Sequence, residues 1–270
     1  MGTLHVDEVA ADPSYDPGAY RSLVAVEDRH FWFRARNRAI SAVFETVRSG
    51  LAPGYRVLEV GCGTGNVLRV LQKSATDGTV IGIDLHQEGL RYAKGRLNPA
   101  LLVRADVGHP PFSTRFEMVG LFDVLEHLDD DVAALRGLRD LLTDGGVLLL
   151  TVPADPRLWS YFDVGSHHRR RYEEEDLKVK LVKSGYVVEY LTPYMSVLHP
   201  VLWIARRLTA LLQPRSQDPA AAWNLAEADL RVRPISGAVL GFLLEQELRL
   251  LKQRRRLPIG ASLIAVARRS

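Results

Sequence analysis

From about residue 56 the chain alternates short apolar runs with stretches whose apolar positions recur every three to four residues. Runs at 56–60, 79–84, 100–105, 116–122 and 146–152 predict strands; periodic stretches near 65–74, 86–97 and 131–142 predict helices. Strand–helix alternation with short turns predicts an α/β fold, a mainly parallel, doubly wound sheet. Upstream, Ile40, Val43, Phe44 and Val47 repeat at three and four, an amphipathic helix ended by Ser49-Gly50 and preceded by the aromatic run His30-Phe-Trp-Phe. That run is either a hydrophobic anchor or a lid over a ligand. Beyond Pro153 the pattern loosens into a helix at about 174–184, a sixth strand at 186–191 and a seventh at 262–269. About seventy residues separate the last two strands, far more than a hairpin needs, and hold two amphipathic helices near 196–212 and 236–256 joined by a linker. The expected organisation is therefore a polar arm (1–30), a ligand-binding core (31–193), a helical insertion or cap (194–260) and a closing strand (261–270).

The most informative stretch is Val57-Leu-Glu-Val-Gly-Cys-Gly-Thr-Gly-Asn-Val-Leu68: a strand, a turn with glycines at alternate positions, and a helix start. Such a turn admits a ligand close to the backbone, and the helix beyond it presents free N–H groups. The third glycine comes one residue earlier than in the dinucleotide fingerprint G-x-G-x-x-G. The second strand ends in Asp84, nineteen residues after Gly65, where a carboxylate can accept from both ribose hydroxyls. The turn carries no lysine or arginine for phosphate charge, so the features specify a nucleoside more firmly than a pyrophosphate.

Composition adds limits. Of 270 residues, 47% are hydrophobic and 25% charged, ordinary for a soluble globular protein. The one cysteine, Cys62, lies in the glycine turn and has no internal partner, which fits a reducing, cytoplasmic setting. The first twenty residues carry acids and two prolines and do not resemble a signal peptide, and no apolar run approaches the ~18 residues that span a bilayer. No His, Cys and carboxylate spacing of a metal site appears, so no metal is expected. Net charge is only +3, but Arg169–Arg171, Arg206-Arg207, Arg254–Arg256 and Arg268-Arg269 crowd the second half. Those runs are solvated faces, or contacts to an anionic substrate or membrane surface.

Taken together, Val-Leu-Glu-Val-Gly-Cys-Gly-Thr-Gly, Gly-Ile-Asp84, Ala105-Asp106, Phe122-Asp-Val-Leu-Glu-His-Leu128 and Leu142-Thr-Asp-Gly-Gly resemble, in order and spacing over 31–193, class I S-adenosylmethionine-dependent methyltransferases. The resemblance implies a Rossmann-like seven-stranded sheet with an antiparallel last strand, and S-adenosyl-L-methionine as donor. It implies that Gly61, Gly63 and Gly65 receive the donor's methionine part and that Glu59 holds the turn and the donor ammonium. Asp84, with Leu85 beside it, would take the ribose; Asp106 and the Val107 N–H the adenine; and the Phe122 carbonyl would lie near the donor amino group. His127 would sit at the active-site edge, or else merely cap the helix starting at Leu128. The fourth strand is not followed by Pro-Pro-Tyr, which argues against nucleic-acid bases as acceptors.

The acceptor side is less specified. His127, His167 and His168 are candidate bases, Arg169–Arg171 candidate anion ligands, and Trp32, Arg36, Trp159, Arg170 and Tyr172 candidate acceptor contacts. A solvated loop is the plainer account of the His-His-Arg-Arg-Arg-Tyr segment. The expected acceptor is a small, partly apolar metabolite methylated on O or C. The insertion would wall its pocket or form a homodimer interface; alternatively it would lie on a membrane and reach a lipid-linked or glycan acceptor. Readings of other classes are a donor-binding regulator or cyclase that does not methylate, and a nicotinamide dehydrogenase.

Overall fold

The computed structural model describes residues 17–212, 221–223 and 234–270. The start of the expected arm and most of the linker inside the insertion lie outside them.

Seven strands form one sheet: β1 (Arg56–Val60), β2 (Thr79–Asp84), β3 (Leu102–Arg104), β4 (Phe116–Phe122), β5 (Leu142–Pro153), β6 (Tyr186–Tyr194) and β7 (Ser262–Arg269). Their order is β3-β2-β1-β4-β5-β7-β6. β1 pairs in parallel with β2 and β4, and β7 runs antiparallel to β5 and β6, so the expected antiparallel last strand is observed.

Each strand feeds two cores by its period-two alternation. Val57, Met118, Val147, Leu149, Ile264 and Val266 point to one face; Leu58, Val60, Val119, Leu121, Leu148 and Leu150 to the other. Phe116 breaks parity with Met118 because the β4–β5 register shifts between them. The first face is covered by α2 (Phe31–Arg48), α3 (Asn66–Ser74) and α4 (Gln87–Arg96), through Ile40, Phe44, Leu68, Leu71 and Leu90. The second is covered by α5 (Asp131–Asp140) and α7 (Glu174–Lys183), through Leu135, Leu138, Leu177 and Leu181.

Three expectations need correction. The polar arm contains a helix, α1 (Pro17–Val26), whose Tyr20 is buried. The aromatic run belongs to α2 itself, which starts at Phe31 with His30 capping the Trp32 N–H. Helix α5 stops at Asp140, because β5 already begins at Leu142 and bends through Gly145 at φ 72°. Between β5 and α7 lies a short helix, α6 (Tyr161–Gly165), started by a capping box in which Ser160 and Asp163 exchange hydrogen bonds. The inserted helices are α8 (Leu198–Leu212) and α9 (Pro234–Lys252). α9 packs on α2, with Leu244 and Leu251 in the first core and Glu245 paired to Arg38. Among the described residues no helix is long and apolar enough to cross a membrane.

Candidate active site

The carboxyl ends of β1, β2, β3 and β4 converge on one cavity of about 960 Å³, where open α/β sheets bind ligands. Its lining includes Glu59, Gly61, Gly63, Asp84, Leu85, Asp106, Val107 and Phe122, so eight of the nine expected donor contacts share one wall. Gly65 sits behind them as the residue before α3, left-handed at φ 74°.

The turn needs its glycines for two different reasons. A Cβ on Gly61 would lie 2.4 Å from the Val124 side chain, and φ there is +71°. A Cβ on Gly63 would meet nothing within 4 Å, at φ +49°; the space above it is open for a ligand. Opposite, Asp84 is buried, its Oδ2 accepting from the Gly63 N–H (2.7 Å) and its Oδ1 from the His86 N–H (2.8 Å). Burial raises its carboxyl, and the two N–H groups partly offset that. A carboxylate fixed through one lone pair on each oxygen keeps the others for a diol. Glu59 is also buried, and its Oε2 has no partner. Burial, with Asp84 nearby, pushes its carboxyl well above the usual range against the pull of Arg36. An orphaned acid and an open glycine, side by side at a helix start, suit a ligand with an ammonium and a carboxylate.

The far end of the same cavity is lined by Trp159, Val164, His127, His167, His168 and Arg169. His127 closes a 3-10 turn, Leu125–His127, and does not cap the next helix; the Asp130 side chain does, accepting from the Ala133 N–H. Burial and the neighbouring His168 lower His127 to about 3, so its ring is neutral. His168 Nδ1 lies 3.0 Å from Asp163 Oδ1. Burial alone would raise Asp163, but that hydrogen bond and the charges of Arg171 and Arg206 hold it at about 2. Glu126, unassigned from sequence, is wholly buried beside them.

Each arginine of the run is engaged within the chain, and Arg169 also lines the cavity. Arg169 donates to the His127 carbonyl, Arg170 to Asp131 and to the Leu128 and Asp129 carbonyls, and Arg171 to Asp163 and the Ala154 carbonyl. Tyr172 is buried with its hydroxyl on Asp131 (2.9 Å). Arg170 and Tyr172 therefore staple the loop after α6 to the loop before α5, away from the cavity. Trp32 also lies off the lining, edge-on to Phe33, while Arg36 and Trp159 do line it. Arg36 there pairs with Asp123 at 3.0 Å. Tyr20, Glu27 and Asp123 are lining residues that no sequence signal marked. Glu126 stands in the Phe122–Leu128 run, next to His127, and that adjacency was its available signal.

Comparison with known proteins agrees with this geometry. A family model described as a methyltransferase domain matches residues 27–191, more than half of the chain. The chain is 35% identical over 105 residues to a trans-aconitate 2-methyltransferase of Rhodopseudomonas palustris, covering 38% of this chain and 40% of that protein. It is 29% identical over 133 residues to a ubiquinone biosynthesis O-methyltransferase of Psychrobacter arcticus, covering 46% and 51%. The chain thus spans about half or less of these curated relatives. Among solved structures, the magnesium protoporphyrin IX methyltransferase of Synechocystis PCC 6803 with bound SAH superposes with a TM-score of 0.52 at 16% identity, covering 88% of this chain and 85% of that one; at that identity the likeness is one of fold.

Proposed function

The chain belongs to the class I S-adenosylmethionine-dependent methyltransferases, and from that premise we propose that it methylates an oxygen of a small, partly apolar acceptor. The observation that carries this reading is the shape of the cavity: the donor wall and the His127 and His168 side chains line one space, with Glu126 buried beside the two histidines. S-adenosylmethionine bound against the glycine turn supplies an electrophilic methyl on a sulfonium. Asp84 accepts from the ribose hydroxyls, Asp106 and Val107 face the adenine, and Glu59 with the open Gly63 receives the amino-acid end. Transfer forms a C–O bond as the C–S bond breaks, with the electron pair going to sulfur. The protein's contribution is alignment and exclusion of water, and a hydroxyl acceptor must also lose its proton. A neutral imidazole at His127 favours oxygen over an amine, which needs no such help before transfer.

Calorimetry with S-adenosylhomocysteine tests the donor half. Asp84→Asn keeps shape but loses a charged acceptor, worth about 2 kcal/mol or roughly thirtyfold in Kd. Binding that is absent in the native chain, or unchanged in the variant, would sink the assignment. Mass spectrometry over hydroxylated acceptors tests the other half: a product heavier by one methyl supports transfer, and an isomer of unchanged mass points to the cyclase reading.

A further inference from the structure

At the acceptor end three side chains converge without bonding one another. Ligand atoms of Glu126, His127 and His168 all lie within 4.8 Å of each other. Glu126 is 0% exposed and neither carboxylate oxygen has a hydrogen-bond partner, an arrangement natural proteins rarely leave unanswered. His168 already uses one ring nitrogen: its Nδ1 lies 3.0 Å from Asp163 Oδ1. A carboxylate oxygen only accepts, so in the neutral ring Nδ1 carries the proton and Nε2 presents a lone pair.

The free His168 Nε2 lies 3.8 Å from Glu126 Oε1. That is too long for a hydrogen bond. It is close to the ~3.4 Å separating two ligand atoms that each sit about 2.1 Å from a tetrahedral ion. Nearby cations are already matched: Arg171 by Asp163 (2.7 Å) and Arg36 by Asp123 (3.0 Å). An incoming ion therefore finds Glu126 without a cation partner, and binding would displace any proton its carboxyl carries.

We propose that Glu126, His127 and His168 form a binding site for a divalent transition-metal ion of the Zn²⁺ type, with an open coordination position facing the cavity. Two imidazoles and one carboxylate with an open position form the ligand set of catalytic zinc. Asp163 orients the His168 imidazole through its outer nitrogen, as second partners of metal-bound histidines do. The staple made by Arg169, Arg170 and Arg171 then has a purpose, since it fixes the loop that carries His168 against the turn that carries Glu126 and His127. The chemical consequence rests on the acceptor placement argued above: a hydroxyl bound to the ion ionises more easily, its proton passing to water, and an acceptor with a second oxygen beside that hydroxyl would chelate. Ion binding itself does not depend on that placement.

The test uses the full chain stripped of metal by a chelator and titrated with Co²⁺, followed by visible absorption, with Zn²⁺ as competitor. We expect uptake of one equivalent with a ligand-field band that Zn²⁺ abolishes. Glu126→Gln, which has the shape of the protonated acid, and His168→Ala should each weaken binding at least about tenfold, while exposed His109→Ala should leave it unchanged. No saturable uptake, or equal uptake by Glu126→Gln and His168→Ala, would overturn the site; then Glu126 is simply a buried carboxylic acid. S-adenosylhomocysteine binding on the same samples reports folding and separates the two proposals. Donor binding without metal uptake removes only the metal site, and metal uptake without donor binding removes only the donor assignment.

Discussion

Glu59 shows how much one side chain's surroundings decide. It precedes the first glycine by two residues, is buried at the end of β1, and leaves Oε2 without a partner. Burial first, then Asp84, hold its carboxyl well above the ordinary range. A carboxyl raised in the folded state contributes stability that is fully present below its unfolded value of about 4.3 and is lost as pH rises through the folded value. The donor-free protein should therefore lose stability as pH rises through that raised value. A ligand ammonium beside Glu59 favours the carboxylate and lowers it again, so donor binding should release a proton and tighten with rising pH over the same window. Calorimetric titrations with S-adenosylhomocysteine in buffers of different ionisation enthalpy would show the release. In Glu59→Gln the buffer dependence should vanish; if the native chain shows none either, Glu59 does not meet the ammonium.

Among the elements, those legible in the sequence are the ones whose signal is local. β1, β2 and β4 read clearly because short, nearly continuous apolar runs end in residues with a steric or chemical reason to be there, Gly61 and Asp84 among them. Helix α1 did not read, because what holds it is distant in sequence. Tyr20 packs toward His86, and the buried Glu27 accepts from the Thr64 hydroxyl (2.8 Å) and pairs with Arg96 of α4. The contacts of the Arg169–Arg171 run did not read for the same reason: a row of like charges does not disclose that its partners are carbonyls and acids on other loops. Glu27 is the joint between α1, the glycine turn and α4. Glu27→Ala leaves the partly buried Arg96 with only Asp28, at 3.6 Å, and strands the buried Thr64 hydroxyl, at a cost of about 3 kcal/mol. For a chain of this size that is a fall in Tm of roughly 6–12 °C, measurable by thermal unfolding. Donor affinity should fall with it, since Glu27 and Tyr20 line the cavity; an unchanged Tm would show that α1 is only loosely attached.

For the whole molecule, the insertion between β6 and β7 leaves one surface to be accounted for. Its inner contacts are made: Glu247 accepts from the Val197 N–H at 3.2 Å, Arg206 reaches the Leu158 carbonyl, and Ala222 is buried close to Gly165. The insertion thus braces the loop that carries Trp159 and His168, as a wall to the acceptor end would. Its outer side is apolar. Val201, Ile204 and Leu208 lie at i, i+3 and i+7 of α8, all more than half exposed, with Phe242 of α9 66% exposed and Arg207 over the Trp203 ring. An outward apolar stripe on a helix with basic residues at its border is the pattern of a segment resting in a membrane interface, and a partly apolar acceptor would be concentrated there. We expect the purified chain to pellet with anionic vesicles and less with zwitterionic ones, by virtue of the basic border. Replacing Ile204 and Leu208 together by Glu should abolish pelleting. Because the substituted side chains face solvent, the double variant should keep its Tm and its affinity for S-adenosylhomocysteine, which isolates the surface effect from folding. Sedimentation velocity decides the rival occupant: if the native chain stays in the supernatant but runs as a dimer that the same two substitutions split, the stripe is a face shared between two copies and the membrane reading is wrong.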